Sequence, residues 1–295
     1  MKILGISAGA AGGSAELLLT AALRAAEGAA DVGLVRLAGL RIPAEPGGDD
    51  ADLWWLWERL VECDGLIVST PIMTRTIAAR LKLVVDRLLG PNADAAIIEG
   101  LAAQRRAGTE PAVPFRVDER VLRPRVAGFL AVGGALTPQW RTLALPLLHS
   151  VAFSMHIAVA DQALFGGAGT PRSIVLDDGA LPRAARLGAN VAGQLGKAFE
   201  DVEYRGESGL CPMCHLSVVV LDGPAVACAT CGATGELTPE LSVRWTDLST
   251  SVLSMAEKRA HAAEIQDTAC RQAADRDRID ALAAAVAPIT PLAPR

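Results

Sequence analysis

Five short, nearly unbroken apolar runs, each separated from the next by an amphipathic stretch, set the limits on what this chain can fold into. The runs are Ile3–Ser7, Val32–Leu37, Leu66–Thr70, Val126–Gly133 and His156–Ala160. A strand with one wet face alternates apolar and polar residues, whereas a strand covered on both faces has no reason to, so continuous runs predict parallel strands buried between two layers. Helical spacing fills Ala15–Glu27, Asp50–Val61, Thr76–Leu89 and Trp140–Phe153 between the runs, and Leu181–Val202 after the last. Strand and helix alternating in this way predict an α/β fold with a doubly wound, five-stranded parallel sheet. Such sheets bind ligands beyond the carboxyl ends of their strands, which directs attention to the segments after the first, third and fourth runs.

Other stretches break the alternation. Between Pro91 and Pro124 the pattern weakens into a proline-containing connection too long for a simple turn, expected to be a lid or an oligomer arm. After residue 205 the composition changes twice: residues 206–245 carry two Cys-x-x-Cys pairs, and residues 246–295 end in an Ala-rich, charged stretch. Its helical spacing over Ser249–Ala287 predicts one long exposed or partner-bound helix. The formal net charge of -5 argues against general binding to a phosphate backbone, and a small soluble partner is expected instead. Thr142–Ala160 lacks charged residues, but Pro146, His149, Ser150, Ser154 and His156 interrupt it, so it reads as buried helix and strand rather than as a membrane span.

The first run ends in SAGAAGGSAELLL. Small residues at Gly9, Gly12 and Gly13 let the backbone approach an anion closely, Ser7 and Ser14 offer hydroxyls, and the helix that follows points free N–H groups into the turn. The pattern suits one phosphate, although a plain strand-to-helix turn capped by Ser14 would look the same. It is neither a Walker A loop nor a clean GxGxxG. After the third run comes STPIMTRTIAARLKLVVDR, residues 69–87, and after the fourth GFLAVGGALTPQWRTLALPLLH, residues 128–149.

Thr70, Pro71, Leu81, Lys82, Asp86 and Arg87 in the first of these segments, and Gly133, Gly134, Gln139, Thr142 and Leu143 in the second, give the chain its resemblance to the NAD(P)H-dependent FMN reductases and flavodoxin-like quinone reductases. The resemblance covers roughly residues 1–200. It implies a flavodoxin-like domain over residues 1–205, with Thr70, Pro71, Ile72 and Met73 at the polar edge of an FMN ring and Gly133 and Gly134 in a third flavin loop. Trp140 would cover a ring face or pack in the core. FMN would take a hydride from NADPH or NADH and pass electrons to a small-molecule acceptor, and the protein would be a homo-oligomer. Two departures stand out: Met73 replaces the usual aromatic, and Ala10 and Ala11 occupy the place of the family's first-loop cation. Arg75 is a candidate for attracting an anionic substrate or a cofactor phosphate, with a solvated arginine as the alternative. Lys82 and Asp86 are expected to pair on a helix surface. Trp54 and Trp57 are expected in the core and Trp55 at an interface.

Cys211, Cys214, Cys228 and Cys231 form C-x2-C-x13-C-x2-C. Two such knuckles bring four thiolates to the corners of a tetrahedron, a closed shell that predicts a structural zinc ribbon, with rubredoxin-type iron as the alternative. No Lys or Arg occurs between Arg205 and Arg244, so nucleic-acid binding by the ribbon is not expected. Cys63 and Cys270 stand alone, and this usage fits a reducing cytoplasm. Two functions follow as expectations: an FMN-dependent NAD(P)H oxidoreductase, or a non-enzymatic flavodoxin-like scaffold acting through its ribbon and C-terminal helix.

Overall fold

The computed structural model describes residues 1–47, 49–286, 289, 291 and 292. Its first sheet is the one the apolar runs require: β1 (Lys2–Ser7), β2 (Asp31–Arg36), β3 (Gly65–Pro71), β4 (Val126–Val132) and β5 (Ala158–Phe165), all parallel, in the order β2-β1-β3-β4-β5. That is a flavodoxin-like sheet, reversing its order at β1 and β3. On one face lie α1 (Ser14–Ala26) and α6 (Ala180–Ala192), which bury Leu18, Leu19, Ala22, Ala184, Leu187 and Val191 against Ile3, Ile67, Val126 and Leu130. The two helices approach so closely that a side-chain carbon on Gly188 would lie 1.9 Å from the Ala22 carbonyl oxygen, so only glycine fits there. The other face is covered by α2 (Ala51–Glu62), α3 (Ala79–Leu88) and the short α5 (Ala144–Leu148), with Leu53, Trp57, Leu81 and Leu148 buried among Leu4, Ile6, Val68 and Phe129.

Several expectations need correction. The fifth strand runs on to Phe165 rather than stopping at Ala160, because Asp161 and Gln162 are buried with partners in hand: Arg183 and Asn190 hold the Asp161 carboxylate, while His149 and the Cys214 carbonyl take up the Gln162 amide. In place of one helix over 140–153, a 3-10 turn (Pro138–Trp140), the short α5 with Pro146 in its first turn, and a second 3-10 turn (His149–Val151) follow one another. Trp57 is buried, but Trp54 is 45% exposed, and the Arg116 guanidinium stacks on both rings at 4.5 and 4.1 Å.

The segment 91–124 contains a helix, α4 (Ala95–Ala107), whose Ala95 and Ile98 join the core with Val121. It lies at the amino ends of the strands, where Arg123 meets Asp64 and Arg125 donates to the Val61 carbonyl, so it does not cover the loops at the carboxyl ends.

Beyond residue 205 a second, antiparallel sheet forms from β6 (Val219–Asp222), β7 (Ala225–Cys228), β8 (Thr234–Leu237) and β9 (Val243–Asp247). The C-terminal stretch is two helices, α7 (Met255–Ala274) and α8 (Arg276–Ala284), broken at Asp275, and Ala287 lies outside the described residues. α7 docks on α4 through Arg259–Glu99 and on the loop after α4 through Gln266–Val113, and Lys258 is buried where it bonds the Phe153 carbonyl. No helix among the described residues is long and apolar enough to cross a membrane.

Candidate functional site

The turn after β1 folds back on itself through small residues. Gly13 N–H donates to the Ala10 carbonyl at 3.0 Å, and Gly12, at φ +66°, donates to Glu16 Oε1 at 3.0 Å. The Glu16 carboxylate is almost fully buried and receives two further bonds from Arg36, at 2.7 and 3.0 Å, which hold it below the usual carboxylate range. Gly13, not Ser14, is the N-cap of α1, and it offers no side-chain acceptor. The N–H groups of the first helical turn, at Ser14, Ala15 and Glu16, therefore lack the acceptors a capped helix would have. The Oγ atoms of Ser7 and Ser14 are buried without a hydrogen-bond partner. Buried hydroxyls seldom go unpaired in a folded chain, so a pair of them beside an uncapped helix start fits a missing acceptor-rich group such as a phosphate.

The loop after β3 is held from below and strained at its tip. Thr70 is fully buried; its Oγ1 accepts from Ala78 N–H at 3.1 Å and donates to the Pro71 carbonyl at 3.0 Å. Met73 and Thr76 exchange backbone bonds of 2.9 and 3.0 Å, and the two residues between them, Thr74 and Arg75, both have positive φ, +47° and +71°. That is the pattern of a type I′ turn, which normally takes Asn-Gly because a side chain clashes in the left-handed region. A β-branched residue and an arginine are the reverse of what local preference selects.

Contacts join the loops. Ile72 N–H donates to the Val132 carbonyl at 2.7 Å, Gly133 would place a side-chain carbon 3.1 Å from Ile72 Cβ, and Arg75 Nε donates to the Gln139 carbonyl at 2.9 Å. A side-chain carbon at Gly9 would sit 3.5 Å from Pro71 Cδ, and one at Gly134 would sit 3.0 Å from Gly169 Cα. The structure thus brings Ser7, Gly9, Gly12, Gly13, Ser14, Thr70, Pro71, Ile72, Met73, Gly133 and Gly134 to one edge of the sheet. Trp140 lies in a 3-10 turn at the same edge and is exposed rather than packed in the core, as are Met73 and Leu136.

One element of this edge went unseen in the sequence. With the fifth strand ending at Phe165, the segment GGAGTPR that follows it is a fourth carboxyl-end loop. It carries Arg172, at φ +67°, whose Nη2 lies 3.7 Å from where a side chain on Gly12 would begin. The glycines in that segment are the sequence signal for it, masked by the polar pair Asp161–Gln162, which resembles a strand end.

The four cysteines of the C-terminal segment are buried together, with Cys211–Cys231 and Cys214–Cys228 sulfur separations of 3.6 and 3.5 Å and all four Sγ atoms within 4.8 Å of one another. Hydrogen bonds among the four thiols push Cys211 and Cys214 above the ordinary thiol range and hold Cys228 and Cys231 below it, Cys231 at about 7. His215 turns away and stacks on Tyr204, with ring centroids 3.8 Å apart.

A parallel sheet with this strand order, and small-residue loops gathered at the carboxyl ends of its central strands, defines a flavodoxin-like protein. The chain belongs to the NADPH-dependent FMN reductase family, whose profile matches residues 1–168, and it is accordingly an FMN-dependent oxidoreductase. It is 37% identical over 259 residues to the flavone synthase cfoJ of Aspergillus candidus, spanning 80% of this chain and 78% of that one. The solved structure of a flavone reductase superposes on it with a TM-score of 0.82 at 28% identity, covering 99% of this chain and 100% of the other.

Proposed function

We propose that this chain is an NAD(P)H-dependent FMN enzyme that exchanges a hydride and a proton across the carbon–carbon double bond conjugated to the ketone of a flavone-type molecule. The observation that carries this reading is the reach of the similarity: the likeness to the flavone reductase runs through the cysteine segment and the C-terminal helices as well as the flavodoxin-like sheet. In the reducing direction, a hydride equivalent from the nicotinamide and a proton from solvent add across the double bond, and the nicotinamide is oxidised. In the opposite direction a flavanone would become a flavone. Bound FMN supplies the hydride relay, and the chain supplies position and polarity.

In that arrangement Ser7, Gly9, Gly12, Gly13, Ser14 and the start of α1 hold the FMN phosphate, Thr70–Met73 line the polar edge of the ring, and Gly133 and Gly134 let the backbone close in from the third loop. The exposed side chains of Met73, Leu136 and Trp140 beside the loops offer an apolar face suited to a flat aromatic substrate. The four cysteines hold a structural zinc ion, a closed tetrahedral set with no position left for substrate. A second copy of the chain completes the open side of the site, and cysteine chemistry of this kind suits the cytoplasm.

The test is anaerobic. FMN-loaded protein reduced with NADPH, and separately with NADH, is mixed with a flavone, a flavanone, free FMN or a simple quinone, while flavin absorbance and products are followed. Rapid reoxidation by the flavone with formation of the flavanone is expected, with slower reoxidation by the quinone. Fast quinone or FMN reduction with no change in the flavone would sink the flavone reading and leave a general reductase.

A further inference from the structure

The family's usual cation in the first loop is missing here, and Ala10 and Ala11 stand in its place. Yet a doubly charged phosphate at that loop would meet little else that is positive: the adjacent Glu16 carboxylate is already balanced by Arg36. The start of α1 contributes about half an elementary charge. We propose that Arg172, from the loop after β5, is the phosphate-binding cation of this chain, reaching over Gly12 to complete a site formed by the α1 N-terminus and the Ser7 and Ser14 hydroxyls. The inference rests on the FMN-binding reading of this edge.

Separate observations converge on it. The Arg172 guanidinium lies over the first loop, 3.7 Å from the Gly12 side-chain position, and it makes no ion pair or hydrogen bond among the described residues. Most other arginines near the sheet have partners: Arg36 has Glu16, Arg87 has Asp50 and Arg183 has Asp161. Ser7 is fully buried on the α1 face of the sheet, level with Ser69, whose own hydroxyl reaches the Ala15 carbonyl, so the unpaired Ser7 Oγ lies beneath the same turn. Gly12 adopts φ +66° and adds no side chain, which leaves the space between the turn and the guanidinium open. Arg172 itself occupies the left-handed region, a conformation that costs energy for any residue with a Cβ and that persists where a site has a use for it. A cation carried by the loop after β5 also changes what holds the flavin. The phosphate would tie the first strand's turn to the fourth carboxyl-end loop, so the cofactor would fasten two segments far apart in sequence.

Riboflavin, which is FMN without its phosphate, separates this role from a general contribution to the flavin site. Flavin-stripped protein is titrated with FMN and with riboflavin by fluorescence quenching, for the wild type and for Arg172→Asn and Arg172→Lys. Asparagine tolerates the left-handed backbone, so the loop keeps its shape while the charge is lost. For Arg172→Asn, FMN binding is expected to weaken about tenfold or more, the order of one charge-assisted hydrogen bond, with riboflavin binding unchanged. Arg172→Lys should recover part of the loss, and the salt dependence of FMN binding should flatten in the asparagine variant. Equal weakening for FMN and riboflavin would overturn the proposal, as would no weakening at all. An unchanged FMN affinity with an altered NADPH-to-NADH preference would move Arg172 to the nicotinamide cofactor's 2′-phosphate and likewise overturn it. If neither flavin binds the wild type, the flavin-site reading itself fails and takes the proposal with it.

Discussion

Thr74 and Arg75 show how much single residues at this edge depart from local preference. A left-handed conformation costs an L-residue with a Cβ on the order of 1 kcal/mol, and the chain carries it at two consecutive positions in the turn that would border the flavin. Thr74 is exposed and its hydroxyl makes no hydrogen bond in the described structure, so nothing at that side chain offsets the cost. Thr74→Asn should therefore raise the stability of the flavin-free protein by about 0.5–1 kcal/mol, read as a higher urea midpoint with unchanged slope. An unchanged or lower midpoint would show that the turn is not strained at this position. The sequence located this loop through Thr70 and Pro71 but could not show its tip, because Thr and Arg carry none of the Asn-Gly signal by which such a turn is recognised. Ser7 and Ser14 were legible as residue types; their lack of partners is visible only once the backbone around them is in place. Arg172 was hidden for a different reason: its role depends on a loop that begins where the fifth strand ends, and the polar pair Asp161–Gln162 looked like that end.

Asp161 and Gln162 also decide how the elements join. Both are buried in β5. Asp161 anchors α6 through Arg183, with Arg183 Nη2 at 2.6 Å from Asp161 Oδ1, while Gln162 Nε2 donates to the Cys214 carbonyl at 2.9 Å and Gln162 Oε1 faces His149 Nε2 at 3.0 Å. Burial pushes the His149 imidazole down to about 4, so it is neutral at physiological pH. The ribbon is thus attached to the sheet domain by a buried polar bridge as well as by Phe153 and Phe199 against its cysteines. Its own core is otherwise small, Val226 and Ala233 with the neighbouring Leu253 beside the four thiols, which is too little apolar surface to order so many residues unaided. One zinc per chain is expected by elemental mass spectrometry. Removing it with a strong chelator, or substituting Cys228→Ser, should abolish hydrogen-exchange protection across β6–β9 and loosen the start of α7, with β1, β3 and β4 still protected. Loss of protection across the whole chain at once, or retention of the ribbon without metal, would contradict a clasp held by zinc. The cysteine spacing made this element legible from sequence alone. The paired helices beyond it look like one in the sequence because alanine-rich, charged sequence continues through Asp275 without a proline or glycine to mark the break.

At the scale of the whole molecule, the loops gather at one edge but do not enclose it. Residues 91–124 lie at the opposite end of the sheet, where α4 supports α7, and a cleft of about 420 Å³ opens between those two helices rather than beside the loops. A flavin seated at the loop edge would keep a face open to water unless something else covers it, and hydride transfer benefits from exclusion of water. Met73 at 56% exposure, Trp140 at 55% and Leu136 at 77% stand at that open edge, and they are large apolar side chains that a solitary chain would have reason to cover. The expected cover is a second copy of the chain, so light scattering on the FMN-loaded protein should give a mass twice that of the chain. Leu136→Glu should shift the mass toward that of one chain, because a charge at a desolvated contact is costly when it is left unpaired. Substrate can account for the same apolar surface without a partner, and the two explanations diverge in one measurement: a wild-type protein that remains a single chain at high concentration, yet turns over flavone at full rate, would assign Met73, Leu136 and Trp140 to the substrate alone.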